Sequence, residues 1–127
     1  MNAEAASLWD RALKAFSSAE ALVATDPDGA ASRAYYSAFY AASALFALEG
    51  KTFTKHTALA AAVHRDLVRT GRWPPELGEA FSWLLRTRQT GDYGQDLRVK
   101  PEEARVAAEK ASLILEAVRS AIPESMR

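Results

Sequence analysis

The segment from Ser32 to Gly50 constrains the fold more than any other part of this 127-residue chain. Its sequence is SRAYYSAFYAASALFALEG, and a helix built from it at 100° per residue is apolar or aromatic on nearly every face. Because a helix of that kind has to be covered on all sides, we predict that it runs through the middle of a helical bundle.

One stripe of this helix combines hydroxyl groups with a positive charge. It contains Arg33, Tyr36, Tyr40 and Ser43. Since buried polar groups need hydrogen-bond partners, the stripe must face either internal partners or a ligand. Which of the two it faces decides what the protein does.

Apolar spacing and helix stop signals predict five helices in all. Their approximate ranges are 2–24, 30–49, 54–70, 75–89 and 101–122. The fourth is predicted to end near Gln89, because two glycines surround Asp92 and Tyr93 in the segment TGDYGQD that follows. No segment alternates with period two, so no strand is predicted. The predicted fold is all-α: a single domain over residues 1–127, forming an antiparallel four- to five-helix up-and-down bundle.

Composition excludes several classes of site. The chain has no cysteine and two histidines, so neither a disulfide framework nor a structural zinc site is predicted, and no metal or cofactor is expected. No apolar run reaches the roughly 18–20 residues of a membrane span, and the N-terminal sequence MNAEAASLWDR carries acids where a signal peptide carries bases. We therefore expect a cytoplasmic protein without a membrane partner.

Sixteen basic residues balance sixteen acidic ones, but their distribution is uneven. Residues 1–50 hold three basic and six acidic side chains, whereas residues 51–100 hold nine and five. An anionic partner is therefore expected to meet the middle of the chain. The alternative is that its arginines only solvate a helix face.

Three charged or titratable residues lie on faces predicted to be buried: Arg33, His56 and Arg88. A bidentate pair between Arg88 and Asp92, four residues later, is the simplest structural explanation for Arg88. For His56 the structural explanation is a core or helix-capping role. For the tyrosines of the central helix it is a role as core aromatics whose hydroxyls have hydrogen-bond partners within the protein. If the three helices are neighbours, the set suits a phosphate-bearing ligand. The predicted ligand-binding residues are Arg33, Tyr36, Tyr40, His56 and Arg88.

Two tryptophans are expected at the surface. Trp73 lies in a predicted turn and Trp83 lies off the apolar stripe of the fourth helix. Both suit exposed anchors of a dimer interface, where tryptophan is enriched.

The segments SRAYYSAFYAASALF, TKHTAL and LVRTGRW, followed by PELGEAF and LLRTRQTGDYG, resemble a bacterial and archaeal HEPN domain. More narrowly, they resemble the small stand-alone HEPN proteins with an Arg-x-x-x-Asp-Tyr ending, over about residues 5–120. The resemblance implies an antiparallel helical bundle, a homodimer and a link to nucleotides or RNA. It also implies a partner, a minimal nucleotidyltransferase, in a toxin–antitoxin-type two-component system.

HEPN members that cut RNA carry an arginine followed, after four to six residues, by a histidine, and two copies of this motif form a metal-independent site at the dimer interface. No histidine follows Arg88 in this chain, and an aspartate paired with an arginine is a poor general acid.

Three hypotheses remain. The leading one is a non-catalytic module that binds a nucleotide or polyphosphate, or docks the nucleotidyltransferase. The second is an atypical ribonuclease toxin using Arg88, Asp92 and Tyr93, with His56 replacing the missing histidine. The third is a structural dimerisation bundle. No DNA partner is expected.

Overall fold

Five α-helices account for most of residues 2–94 and 98–127, which are the residues that the computed structural model describes. The helices are α1 (Ala3–Leu22), α2 (Pro27–Leu48), α3 (His56–Ala62), α4 (Pro75–Tyr93) and α5 (Pro101–Ala121). A π-helical segment, Val63–Val68, continues α3, and a 3-10 turn spans Glu124–Met126. No strand occurs among the described residues. The predicted all-α helical bundle is confirmed.

The central position predicted for α2 is also confirmed. This helix packs against α1, α4 and α5, and 13 of its 22 residues are buried. Small side chains make close packing possible, because the α1 residues facing α2 are alanines apart from Trp9. None of the described helices is long and apolar enough to cross a membrane.

The first turn of α2 lies three residues earlier than predicted. Asp26 caps the helix, with its carboxylate accepting a hydrogen bond of 3.0 Å from the Gly29 backbone N–H. Pro27 occupies the first helical position, where its missing N–H costs nothing. The DPDG sequence, which lies between the first two predicted helices, is therefore a helix start.

The predicted break of α4 near Gln89 is wrong. The helix continues through Gly91 to Tyr93, and the Gly94 N–H still donates to the Thr90 carbonyl at 2.9 Å. A Cβ atom on Gly91 would lie 3.1 Å from the Asp28 carbonyl oxygen. Glycine here permits close packing of α4 on the start of α2 rather than ending the helix. The rest of the predicted breaking segment, residues 95 and 96, lies outside the described residues.

The third helix begins at His56 rather than Thr54 and changes its geometry midway. From Val63 to Val68 it is π-helical, and Arg69 donates its N–H to the His64 carbonyl, five residues back, at 2.9 Å. Gly71 follows with φ 81°, the left-handed conformation predicted for a helix end.

The expectation that Trp73 is exposed is wrong. Its side chain is only 4% exposed and belongs to the main core, and the backbone N–H of Trp73 donates to the Leu67 carbonyl at 2.9 Å. Trp83 is partly buried against the same core, with the Lys110 ammonium 5.4 Å from its ring centre. Trp73 is thus a core residue.

Candidate functional site

Tyr36 is the centre of the site. The polar stripe of α2 carries it towards α3 and α4, where the His56 ring centre lies 5.7 Å from its own. The guanidinium carbons of Arg33 and Arg88 lie 5.7 and 5.3 Å from the Tyr36 ring centre, and the Tyr40 ring centre is 6.0 Å away. The structure therefore brings all five predicted ligand-binding residues together. We call this set, Arg33, Tyr36, Tyr40, His56 and Arg88, the Tyr36 cluster.

Arg88 is held by three side chains. Its Nε donates to Asp92 Oδ2 at 2.9 Å, and its Nη2 donates to the Tyr36 hydroxyl at 3.1 Å. The Tyr93 hydroxyl, 3.5 Å from Nη2, lies at the limit of a hydrogen bond. The predicted Arg88–Asp92 pair is thus confirmed, but it uses one nitrogen and one oxygen rather than the bidentate geometry expected.

The remaining guanidinium nitrogen of Arg88 is the one that bears on ligand binding. Among the described residues, no side chain or carbonyl accepts a hydrogen bond from Nη1. The Arg88 side chain is 12% exposed, and its charge lies over the rings of Tyr35, Tyr36 and Tyr93. The guanidinium is thus fixed in place and mostly buried, with one nitrogen that can donate a hydrogen bond to an anion.

His56 is hydrogen-bonded to Tyr35, a residue of α2 that lies outside its polar stripe. The Tyr35 hydroxyl lies 2.7 Å from His56 Nδ1. Burial raises the pKa of Tyr35 far above its ordinary value, so this hydroxyl stays protonated and can either donate to Nδ1 or accept from it. Burial, and secondarily the charge of Arg88, lower the pKa of His56. The imidazole is therefore predominantly neutral at pH 7.

The residues proposed for ribonuclease chemistry lie at the last turn of α4. Tyr93 is 70% exposed, whereas Asp92 is partly buried beside Arg88. His56 is on α3, against the other aromatic residues of the cluster, and its ring centre is 4.7 Å from that of Phe39. A neutral histidine and a fixed guanidinium thus border the same tyrosine.

Tyr35 and Phe39 are parts of the site that sequence reasoning missed. Both lie on α2 outside its polar stripe, and both contact His56. The one signal was the Tyr35 hydroxyl itself, since a buried phenol needs a hydrogen-bond partner and His56 was the unexplained polar residue on a facing helix.

Comparisons with known proteins agree with this architecture. A family model for the HEPN domain matches residues 5–121. A UPF0332 protein of Thermotoga maritima is 36% identical over 98 residues, covering 77% of this chain and 74% of that protein. A protein of Methanocaldococcus jannaschii named "Putative toxin MJ0142" is 32% identical over 88 residues, covering 69% of this chain and 60% of that protein.

Proposed function

The chain belongs to the HEPN domain family, and from that premise we propose that it is a binding module whose Tyr36 cluster takes a phosphate group of a nucleotide or RNA. We further propose that it acts as a homodimer and with a minimal nucleotidyltransferase as partner, in a toxin–antitoxin-type system. The similarity to a protein named as a toxin supports this setting.

The free Nη1 of Arg88 is the observation on which the proposal rests. Asp92 and Tyr36 fix the orientation of the guanidinium, and its Nη1 has no hydrogen-bond acceptor among the described residues. The guanidinium charges of Arg33 and Arg88, against one carboxylate at Asp92 and a neutral His56, leave one net positive charge in the site. Arginine recognises phosphate by charge and by its planar set of donors.

The aromatic rings of the cluster suit the rest of such a ligand. Tyr36 and Tyr40 are partly exposed and Tyr93 is exposed, so their rings are accessible to a base. Stacking of bases on aromatic side chains is worth about 1–3 kcal/mol per base. Guanidinium groups beside aromatic rings are therefore a favourable combination for a nucleotide.

A second candidate function, metal-independent RNA cleavage, is favoured by the position of His56. Cleavage needs a general base for the 2′-hydroxyl and a cation to stabilise charge on the phosphorus. His56 suits the first role in the tautomer whose Nδ1–H donates to the Tyr35 hydroxyl and leaves Nε2 free, and Arg88 suits the second. The sequence supplies no histidine at the usual position after Arg88, so His56 is the group to test.

Thermal unfolding of the purified protein with ATP, other nucleotides and short RNAs tests the binding proposal. A ligand at about 100 times its Kd adds about 2.7 kcal/mol of stability. We expect a rise in Tm with at least one of these ligands, and its loss in R88A/D92A, a variant that leaves no unpaired carboxylate. R86A, which removes an exposed arginine two residues away, should keep the full rise.

Other outcomes separate the alternatives. If no ligand raises the Tm and R88A is strongly destabilised, Arg88 is structural and the bundle is a dimerisation unit. Cleavage of a fluorescent RNA in EDTA, lost in H56Q while RNA binding persists, would instead support the ribonuclease.

A further inference from the structure

A positively charged groove runs between α1 and α2, beside the Tyr36 cluster. It encloses about 230 Å³. Its lining residues, which define the α1–α2 groove, are Arg11, Lys14, Ala15, Ser18, Arg33 and Tyr40. Sequence reasoning singled out Arg33 and Tyr40 but neither Arg11 nor Lys14.

The groove is lined by basic residues although the part of the chain that forms it has more acidic than basic side chains. Residues 1–50 are acidic overall and hold three basic side chains, and all three line the groove. None of the described lining residues is acidic. Lys14 contacts Asp10 at 3.2 Å, but those side chains are 78% and 63% exposed, so solvent and salt screen that pair.

Arg33 supplies an independent indication of an anion. Its Nε atom is buried and has no hydrogen-bond partner among the described residues. Leaving a buried charged donor unpaired is costly, and such orphaned donors in native proteins call for an explanation such as a bound ion. The guanidinium carbon of Arg33 is also 5.7 Å from the Tyr36 ring centre. Arg33 therefore joins the groove to the cluster.

The groove is continuous with the aromatic residues. The Arg11 guanidinium carbon lies 6.0 Å from the Tyr40 ring centre, and Tyr40 lies 6.0 Å from Tyr36. Cations alternating with partly exposed rings are the pattern of proteins that bind single-stranded nucleic acid. At about 230 Å³ the groove is smaller than a typical small-molecule pocket, which suits a phosphate group rather than a whole nucleotide.

We propose that the α1–α2 groove binds the phosphodiester backbone of a single-stranded RNA, with the neighbouring nucleotide at the Tyr36 cluster. Arg11, Lys14 and Arg33 neutralise the phosphates, and Arg33 Nε gains its acceptor on binding. This inference rests on the proposed function and extends it from a single phosphate to several successive phosphates of one RNA.

The salt dependence of RNA binding tests the groove directly. The probe is a fluorescein-labelled twelve-nucleotide oligouridylate, titrated with wild-type protein, R11Q/K14Q and the control R69Q/R86Q, which removes two exposed arginines outside the groove. Each lost phosphate contact on a single strand lowers the slope of log Kd against log salt by about 0.7. We expect R11Q/K14Q to lower it by about 1.4 and the control to keep the wild-type slope.

A second variant reports on the orphaned donor. R33M removes the guanidinium and its buried Nε donor while keeping a long side chain. We expect the free protein to unfold at a higher temperature than wild type, because an unpartnered donor is gone, and to bind the oligouridylate more weakly. Unchanged RNA affinity would show that Arg33 does not contact the RNA, and a lower Tm would show that its Nε is not a destabilising orphaned donor in the free protein.

The outcomes distinguish this inference from the proposal beneath it. Equal slopes for R11Q/K14Q and the control, with binding still lost in R88A/D92A, overturn the groove alone. A lowered slope in R11Q/K14Q with full binding by R88A/D92A upholds the groove and overturns the role of Arg88. Failure of the wild-type protein to bind the oligouridylate overturns the groove, whereas a Tm rise with ATP then keeps the nucleotide proposal.

Discussion

Replacing Arg88 by methionine removes the charge that ties the end of α4 to the Tyr36 cluster while keeping most of the side-chain length. The Nε–Asp92 bond is 2.9 Å long, between side chains that are 12% and 29% exposed. A hydrogen bond between charged groups is worth about 1.5–3 kcal/mol, and the bond to the Tyr36 hydroxyl adds about 1 kcal/mol. Since burying the guanidinium opposes these gains, we expect R88M to lower the free energy of unfolding by about 2–3 kcal/mol.

Asp92→Asn should cost less, about 1–2 kcal/mol, because Asp92 is more exposed. If the pair is formed as described, the two substitutions are not additive, and the double variant should reveal a coupling energy of about 1–2 kcal/mol. Urea unfolding followed by far-UV circular dichroism measures all four free energies. At this chain length each kcal/mol corresponds to a change of about 3–5 °C in Tm.

Arg86→Met is the matched control, because Arg86 is exposed on the same helix and has no ion pair among the described residues. It should change stability by less than about 0.5 kcal/mol. An R88M variant as stable as wild type, or a coupling energy below about 0.5 kcal/mol, would refute the reasoning that Asp92 fixes the Arg88 guanidinium.

Three further perturbations test neighbouring features. The pKa of His56 is lower in the folded protein than its ordinary value of 6.5. As the pH falls below that value, the unfolded state binds a proton before the folded state does, so stability falls. H56Q should therefore lose less stability than wild type between about pH 6.5 and 5, and identical pH profiles in urea unfolding would contradict this. Tyr35→Phe should cost about 1–2 kcal/mol by the same assay, because His56 Nδ1 loses its hydrogen-bond partner. An unchanged free energy of unfolding would mean that this bond does not form. Gly78→Ala should lower Tm, since the new Cβ would lie 2.9 Å from Val68 Cγ2 and 3.1 Å from His64 Cε1. The cost of this overpacking outweighs the gain in helix propensity. A higher Tm would show that the π-helical segment moves to accommodate the added methyl group.

Features that depend on local spacing could be predicted from the sequence. The all-round apolar surface of 32–50 placed this helix in the core, and the four-residue spacing of Arg88 and Asp92 placed both on one helix face. The members of the Tyr36 cluster could also be identified, because each was a polar residue on a face that had to be buried, but their convergence depended on the three helices being neighbours.

Features that depend on contacts between distant segments could not be predicted. Gly91 looked like a helix breaker because its close neighbour, the backbone of Asp28, is far away in sequence. Trp73 looked exposed because a turn residue has no periodicity to show its burial. The Tyr35–His56 bond joins residues 21 apart, and no local pattern pairs them.

The α1–α2 groove could not be located from charge counts along the sequence. The middle third of the chain holds the most basic residues, yet several of them pair with acids, as Arg65 does with Asp66 and Arg72 with Glu49. The α1–α2 groove instead collects its cations from two helices in the acidic part of the chain. The number of charges in a segment therefore says less than their arrangement in the fold.

The most direct test of the Tyr36 cluster is fluorine NMR of the protein labelled with fluorotyrosine and, separately, with fluorotryptophan. All four tyrosines lie in or beside the cluster, whereas Trp73 and Trp83 lie outside it. Phenylalanine substitutions assign the tyrosine signals, and ATP and the oligouridylate are the titrants. The account predicts saturable shifts of Tyr36 and Tyr40 with unchanged tryptophan signals. Binding that shifts the Trp83 signal and leaves Tyr36 unchanged would contradict it.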